Sequence, residues 1–171
     1  MQRQDISVTG REVLHIAPEA VFYRMWRKSP GYIAADLVPT RTSDRRLDIT
    51  AIDFPNENFD FIICNHVLEH VANDTQAMAE ICRVLKPMGT AVISVPVSMG
   101  RPCTWTPPAE MPRAEAERIC GPGHVRLYGM DFEDRLREAG FMVERITFTP
   151  QENETHRLAD ELVHLCRKVP A

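Results

Sequence analysis

The chain has 171 residues, 44% of them hydrophobic, and a formal charge of -4, which suits one globular domain with a sizeable core. So mild a charge argues against a nucleic-acid binder held by phosphate contacts, and no nucleic-acid partner is expected. No apolar run approaches the ~20 residues that cross a bilayer, and the polar opening MQRQDISVTGRE lacks a signal peptide's apolar region, so a cytoplasmic protein without a membrane partner is expected.

In chain order, Val13 to Ala17 reads as a short apolar strand. Pro18 follows, suited to the first turn of a helix because its missing N–H is not needed there. The helix runs from Glu19 to Arg27, with Val21, Phe22, Met25 and Trp26 at helical spacing. Tyr32 to Pro39 forms a second strand carrying Asp36 near its end. After the polar loop RTSDRR, Leu47 to Thr50 is a short third strand. FDFIICN (Phe59–Asn65) is apolar on both faces, as a central parallel strand covered on both sides should be.

Asn73, with Gln76 three residues on, caps the next helix. Met78, Ile81, Cys82 and Leu85 give that helix one apolar stripe, and Lys86-Pro87 ends it. TAVISVP is the fifth strand. Ser98 to Pro112, rich in proline, is irregular, and Ala114 to Ile119 makes a helical turn. GPGHVRLYG (Gly121–Gly129) is loop, and Asp131 caps a helix that Gly140 ends. Phe141 to Phe148 and Glu161 to Lys168 are the last strands, joined without a helix. The expected fold is α/β, doubly wound and mostly parallel, with one antiparallel edge strand and reduced helices between the second and fourth strands. The whole chain, 1–171, is expected to be one domain, with 98–130 a substrate-side insert or lid. Five scattered cysteines, odd in number and without a CxxC pair, indicate a reducing compartment and packing roles.

Ligands of such sheets lie outside the carboxyl ends of the strands. Asp36 there can accept from both hydroxyls of a ribose, and Asp48, one strand on, from an adenine amino group. Each is also a residue that commonly stabilises a turn. FDFIICNHVLEHV (Phe59–Val71) places Asn65 and His66 at a strand end, with Glu69 and His70 just beyond. His66 and His70 have a helical metal-ligand spacing, but without a third ligand in the sequence no metal is expected.

The stretch FDFIICNHVLEHVANDTQAMAEICRVLKPMGTAVISVP (Phe59–Pro96) resembles the fourth strand, helix and fifth strand of class I S-adenosylmethionine-dependent methyltransferases, closest to the methyltransferase type 11 group. VLHIAPE stands where that family's first strand and glycine-rich turn belong, and Gly123 to Phe141 resembles a late segment of one branch. The resemblance implies a Rossmann-like fold, S-adenosylmethionine as cofactor, and a small-molecule methyl acceptor. It implies cofactor contacts from His15, Ala17, Pro18, Glu19, Asp36, Leu37, Asp48, Ile49, Asn65 and His66, with Glu19 able to hold the cofactor's ammonium group.

Candidate general bases are His124 and His66, and Trp105, Arg126 and Tyr128 are candidate substrate contacts. Two departures stand out. His15 takes the family's acidic slot with Ala17-Pro18-Glu19 in place of the glycines, and Met88 replaces the first glycine of the Lys-Pro-Gly-Gly element, a change expected to be harmless. The glycine-poor turn keeps open a non-catalytic module that binds a nucleoside or a protein. A nicotinamide oxidoreductase is disfavoured because GxGxxG is missing after the first strand. An uncovered edge strand makes a homodimer possible.

Overall fold

The computed structural model describes residues 8–149, 151–152 and 162–169. In chain order its elements are β1 (Val13–Ile16), α1 (Ala20–Trp26), β2 (Tyr32–Asp36), β3 (Arg45–Arg46), β4 (Phe59–Asn65) and a 3₁₀ turn (Leu68–His70). Then come α2 (Asp74–Val84), β5 (Leu85–Ser94), α3 (Arg113–Cys120), α4 (Phe132–Glu138), β6 (Phe141–Ile146) and β7 (Val163–Lys168). The strands make one sheet of order β3-β2-β1-β4-β5-β7-β6. Pairing is parallel from β3 through β5, and β7 runs antiparallel to both β5 and β6. This is the expected Rossmann-like, mostly parallel sheet; its one antiparallel strand, expected at the edge, is β7, with β6 outside it. The expected direct junction between the last two strands falls largely outside the described residues.

Chain direction across the sheet reverses between β1 and β4, which sets the switch point there. Both strands are mostly apolar because both faces are covered, His15, Asp60 and Asn65 being their polar residues. The larger core, including Leu14, Ile62, Met78, Ile81, Phe132 and Leu136, lies under α2 and α4. On the other face Val13, Tyr32, Ala34, Phe61 and Ile63 pack against Tyr23 and Trp26 of α1. Helix α2 starts as its sequence dictates: the Asn73 side chain accepts from the Gln76 N–H at 3.2 Å.

The third strand is corrected. It pairs at Arg45–Arg46, not over Leu47 to Thr50. The alternation of Leu47 and Ile49 comes from a turn that drops both side chains into the core, with Asp48 Oδ1 accepting from the Thr50 N–H at 2.8 Å and its hydroxyl at 2.7 Å. No helix is present between β2 and β4 among the described residues. Arg83 pins that stretch from α2, donating to the carbonyls of Ile52 and Phe54 at 2.8 and 2.9 Å.

Asp131 is also corrected. Its side chain makes no cap bond to α4 and instead accepts from the Thr104 N–H and hydroxyl, both at 2.7 Å, which ties residues 98–112 to the start of α4. Trp105 and Leu127 exchange backbone hydrogen bonds at 2.9 and 2.8 Å in the same region. Gly129 passes so close to Cys103 that a Cβ there would lie 2.4 Å from the Cys103 carbonyl carbon. Only glycine permits that approach.

Candidate functional site

The chain leaves β1 and β4, the strands flanking the switch point, by the same device. Ala17 (φ 48°) and His66 (φ 53°) both take the left-handed backbone conformation, which costs a residue with a side chain about 1–2 kcal/mol. Each is held by a backbone bond to the next strand: Ala17 N–H to the Ala35 carbonyl at 2.8 Å, His66 N–H to the Ser94 carbonyl at 2.9 Å. Ala17 therefore keeps the backbone geometry that a glycine would supply, at some strain. Met88 carries the same strain (φ 63°), so its replacement of glycine is not free.

Across these strand ends runs a chain of polar contacts. His15, fully buried, meets the Tyr32 hydroxyl through Nδ1 at 2.8 Å and Glu19 Oε2 through Nε2 at 2.7 Å. A carboxylate only accepts, so Nε2 carries the hydrogen and Nδ1 receives the tyrosine O–H. Asn65 Nδ2 donates to Glu19 Oε1 at 3.0 Å, and the Ser94 hydroxyl donates to Asn65 Oδ1 at 3.1 Å. Burial pushes the Glu19 carboxyl up, but the hydrogen bonds from His15 and Asn65 outweigh it and hold the group below its ordinary value. Pro18 is buried beside this chain and has no N–H to offer.

Asp36 ends β2 half-buried, one oxygen accepting weakly from the Val38 N–H at 3.3 Å. Leu37 beyond it is 54% exposed. Asp48 is exposed, and the hydrogen bonds from Thr50 hold its carboxyl below the ordinary range. Ile49 is buried, so its side chain is spent on the core.

Past β4, His66 Nδ1 stands 3.4 Å from Glu69 Oε1, an ion pair only when the imidazole is protonated. Glu69 is 1% exposed, and neither of its carboxylate oxygens has a hydrogen-bond partner. His70 Nδ1 bonds the Gly123 carbonyl at 3.0 Å, and His124 Nδ1 bonds the Cys120 carbonyl at 2.7 Å. The His70 and His124 rings meet edge to face with centroids 4.7 Å apart. His124 also lines a cleft of about 420 Å³ with Pro107, Arg113, Glu117, Gly123 and Val125.

The structure thus joins His15, Glu19 and Asn65 in one cluster, and His124 with Glu69 and His70 in another, His66 lying between them. Arg126 and Tyr128, expected as substrate contacts, face inward. Both are buried, at 5% and 0% exposure, and their polar atoms are used internally. Arg126 Nη1 lies 2.9 Å from Asp74 Oδ2, and the Tyr128 hydroxyl donates to the same oxygen at 2.8 Å. These contacts tie the loop bearing them to the N-terminus of α2. Trp105 is half-buried, stitched to Leu127 rather than placed on the cleft lining. The cleft residues Arg113 and Glu117 escape sequence reasoning because nothing local marks an amphipathic helix as one wall of a cavity.

Residues 11–93 match the family model described as a methyltransferase domain. No curated protein matches the chain. Among solved structures, an S-adenosylmethionine-dependent methyltransferase from Mesorhizobium loti superposes with a TM-score of 0.64 at 16% identity, covering 94% of this chain and 92% of that one. A 1,6-didemethyltoxoflavin-N1-methyltransferase from Burkholderia thailandensis, solved with its substrate and S-adenosylhomocysteine, gives 0.62 at 20% identity, covering 95% and 72%. A Haloferax volcanii chain solved in a complex with a methyltransferase activator gives 0.64 at 14% identity, covering 95% and 84%. At these identities the likeness is one of fold.

Proposed function

We propose that this chain, whose residues 11–93 match the methyltransferase-domain family model, is a class I methyltransferase that transfers a methyl group from S-adenosylmethionine to a small-molecule acceptor. The observation that carries the reading is the pair of left-handed turns, at Ala17 and His66, opening the strand ends at the switch point with Asp36 beside them. The donor set fits the cofactor. Asp36 has an oxygen to spare for ribose hydroxyls, and Leu37 offers an exposed apolar face to a base. Asp48 accepts from an adenine amino group, with the Ile49 backbone alongside it. Glu19 keeps lone pairs for an ammonium group beyond those taken by His15 and Asn65.

When bound, S-adenosylmethionine supplies an electrophilic methyl group on its sulfonium. Displacement is in line, so the chain's main work is to hold the acceptor against that methyl. Residues 98–130 form the acceptor's side of the site, with the cleft beside His124 as its seat and the Trp105–Leu127 pairing holding the insert in place. His66, at the end of β4, borders the reacting centre. His124 spends its Nδ1–H on the Cys120 carbonyl, so its Nε2 carries the lone pair that takes the acceptor's proton.

Calorimetric titration with S-adenosylmethionine and S-adenosylhomocysteine tests the reading. Micromolar binding is expected, weakened in Asp36→Ala by about 1.5–3 kcal/mol, the scale of hydrogen bonds to a charged acceptor. Absence of binding by folded protein would instead favour a fold kept as a non-catalytic binding module. The observation on that side is Glu19, whose two oxygens are already engaged where the family has open glycine backbone.

A further inference from the structure

We propose that Glu69, His70 and His124 form a binding site for one divalent transition-metal ion of the zinc class at the edge of the cleft. Each of the three brings one ligand atom to within 4.8 Å of the other two. The Glu69 carboxylate is 1% exposed and neither oxygen has a hydrogen-bond partner, its one charged neighbour being His66 Nδ1 at 3.4 Å, whereas buried carboxylates ordinarily have donors.

The two histidines themselves bring it no donor. Carbonyls only accept, so the bonds from His70 Nδ1 to Gly123 and from His124 Nδ1 to Cys120 place each ring's hydrogen on Nδ1. In the neutral rings Nε2 is then a bare lone pair. Carbonyl bonds at the far nitrogen are also what orients metal-ligating imidazoles. His70 and His124 therefore bring the carboxylate no N–H at Nε2, and the nearest other nitrogen, His66 Nδ1, stands 3.4 Å from Oε1, beyond a short hydrogen bond. A cation is the chemistry that satisfies all three.

Two imidazoles and one carboxylate are a ligand set for zinc that leaves a coordination position open. Closing on an ion with ~2.0 Å bonds draws the ligand atoms to roughly 3.3 Å from one another. The loop bearing His124 can follow, since it is flanked by Gly121 and Gly123 at φ 114° and 73°. His70 is exposed, which gives the ion a way in, and His124 faces the cleft, which puts the open position beside a bound acceptor. An acceptor oxygen on the ion is acidified by it, and His124 then serves as ligand in place of base. Only this last consequence rests on the methyl-transfer reading; the ion site does not.

Chelator-stripped protein titrated with Zn²⁺ against a chromophoric competitor, and with Co²⁺ followed by its visible absorption, tests the site. One ion per chain is expected, with affinity falling at least about tenfold in His70→Ala and again in His124→Asn. Cys103→Ser, which removes an exposed thiol, should bind as the parent does. Circular dichroism checks that each variant is folded. No stoichiometric binding, equal binding by the histidine variants, or loss in Cys103→Ser overturns the proposal. Because the readout is the ion and not turnover, its failure is distinct from a failure to bind S-adenosylmethionine.

Discussion

Two polar clusters lie on either side of His66, and they are built on opposite terms. In the first, Tyr32, His15, Glu19, Asn65 and Ser94 hand hydrogen bonds along a chain in which donors and acceptors match. In the second, Glu69, His70 and His124 gather their ligand atoms within 4.8 Å of one another, and the buried carboxylate has no hydrogen-bond partner. A matched chain stiffens the fold and needs nothing added. An unmatched one costs free energy in isolation and recovers it from what it binds.

The largest effect expected separates the two by function. His124→Ala should lower turnover about 10²–10⁴-fold, the usual worth of a positioned acid or base, while titration shows cofactor affinity unchanged. An equal loss of both would move His124 to a structural role. Next comes a test of the mismatch itself. Glu69→Gln replaces a buried carboxyl that has no hydrogen-bond partner with a neutral amide that can donate, so metal-free protein should gain about 1–3 kcal/mol in urea denaturation while losing the ion. A loss of stability would mean that Glu69 already has its partner in the folded chain.

The converse change breaks the matched chain. His15→Leu leaves the Tyr32 hydroxyl and Glu19 without their shared partner and should destabilise by about 1–3 kcal/mol in the same assay. A smaller effect is carried by pH. The folded Glu19 carboxyl is held below its ordinary value by His15 and Asn65, against its partial burial. Its contribution is thus full above the unfolded carboxyl's pKa and is lost as pH falls through the lower folded one. Parent protein should weaken through that acid window more steeply than Glu19→Gln; parallel curves would remove Glu19 from the account. Smallest is Ala17→Gly, which relieves the left-handed turn and should add about 0.5–1 kcal/mol net of glycine's entropy cost. A loss would show that Ala17 packs better than its backbone suggests.

Much of this architecture was legible in the chain's local patterns. The doubly apolar run Phe59–Asn65 became the central β4, and Asn73 capped α2 as its spacing indicates. The polar residues at strand ends were also found, since a strand's end is a local event. The third strand was misplaced because Leu47 and Ile49 alternate in a turn as they would in a strand, and Asp48 decides which by bonding to Thr50. Arg126 and Tyr128, polar residues in a glycine-flanked loop, read as surface and proved to be the buried partners of Asp74.

What the sequence determined alone, then, is the order of elements and the identity of the residues leaving each strand. Hydrophobic period, helix caps and turn chemistry act within a few residues and need no distant partner. What only the tertiary structure decided is company. His70 reaches the Gly123 carbonyl, next to His124, through a bond spanning 53 residues of chain, and Asp74 gathers Arg126, Tyr128 and Arg135. Whether a polar residue ends as core, ligand or surface depends on which separated segments the sheet brings together, and that is set by long-range packing, which no local pattern encodes.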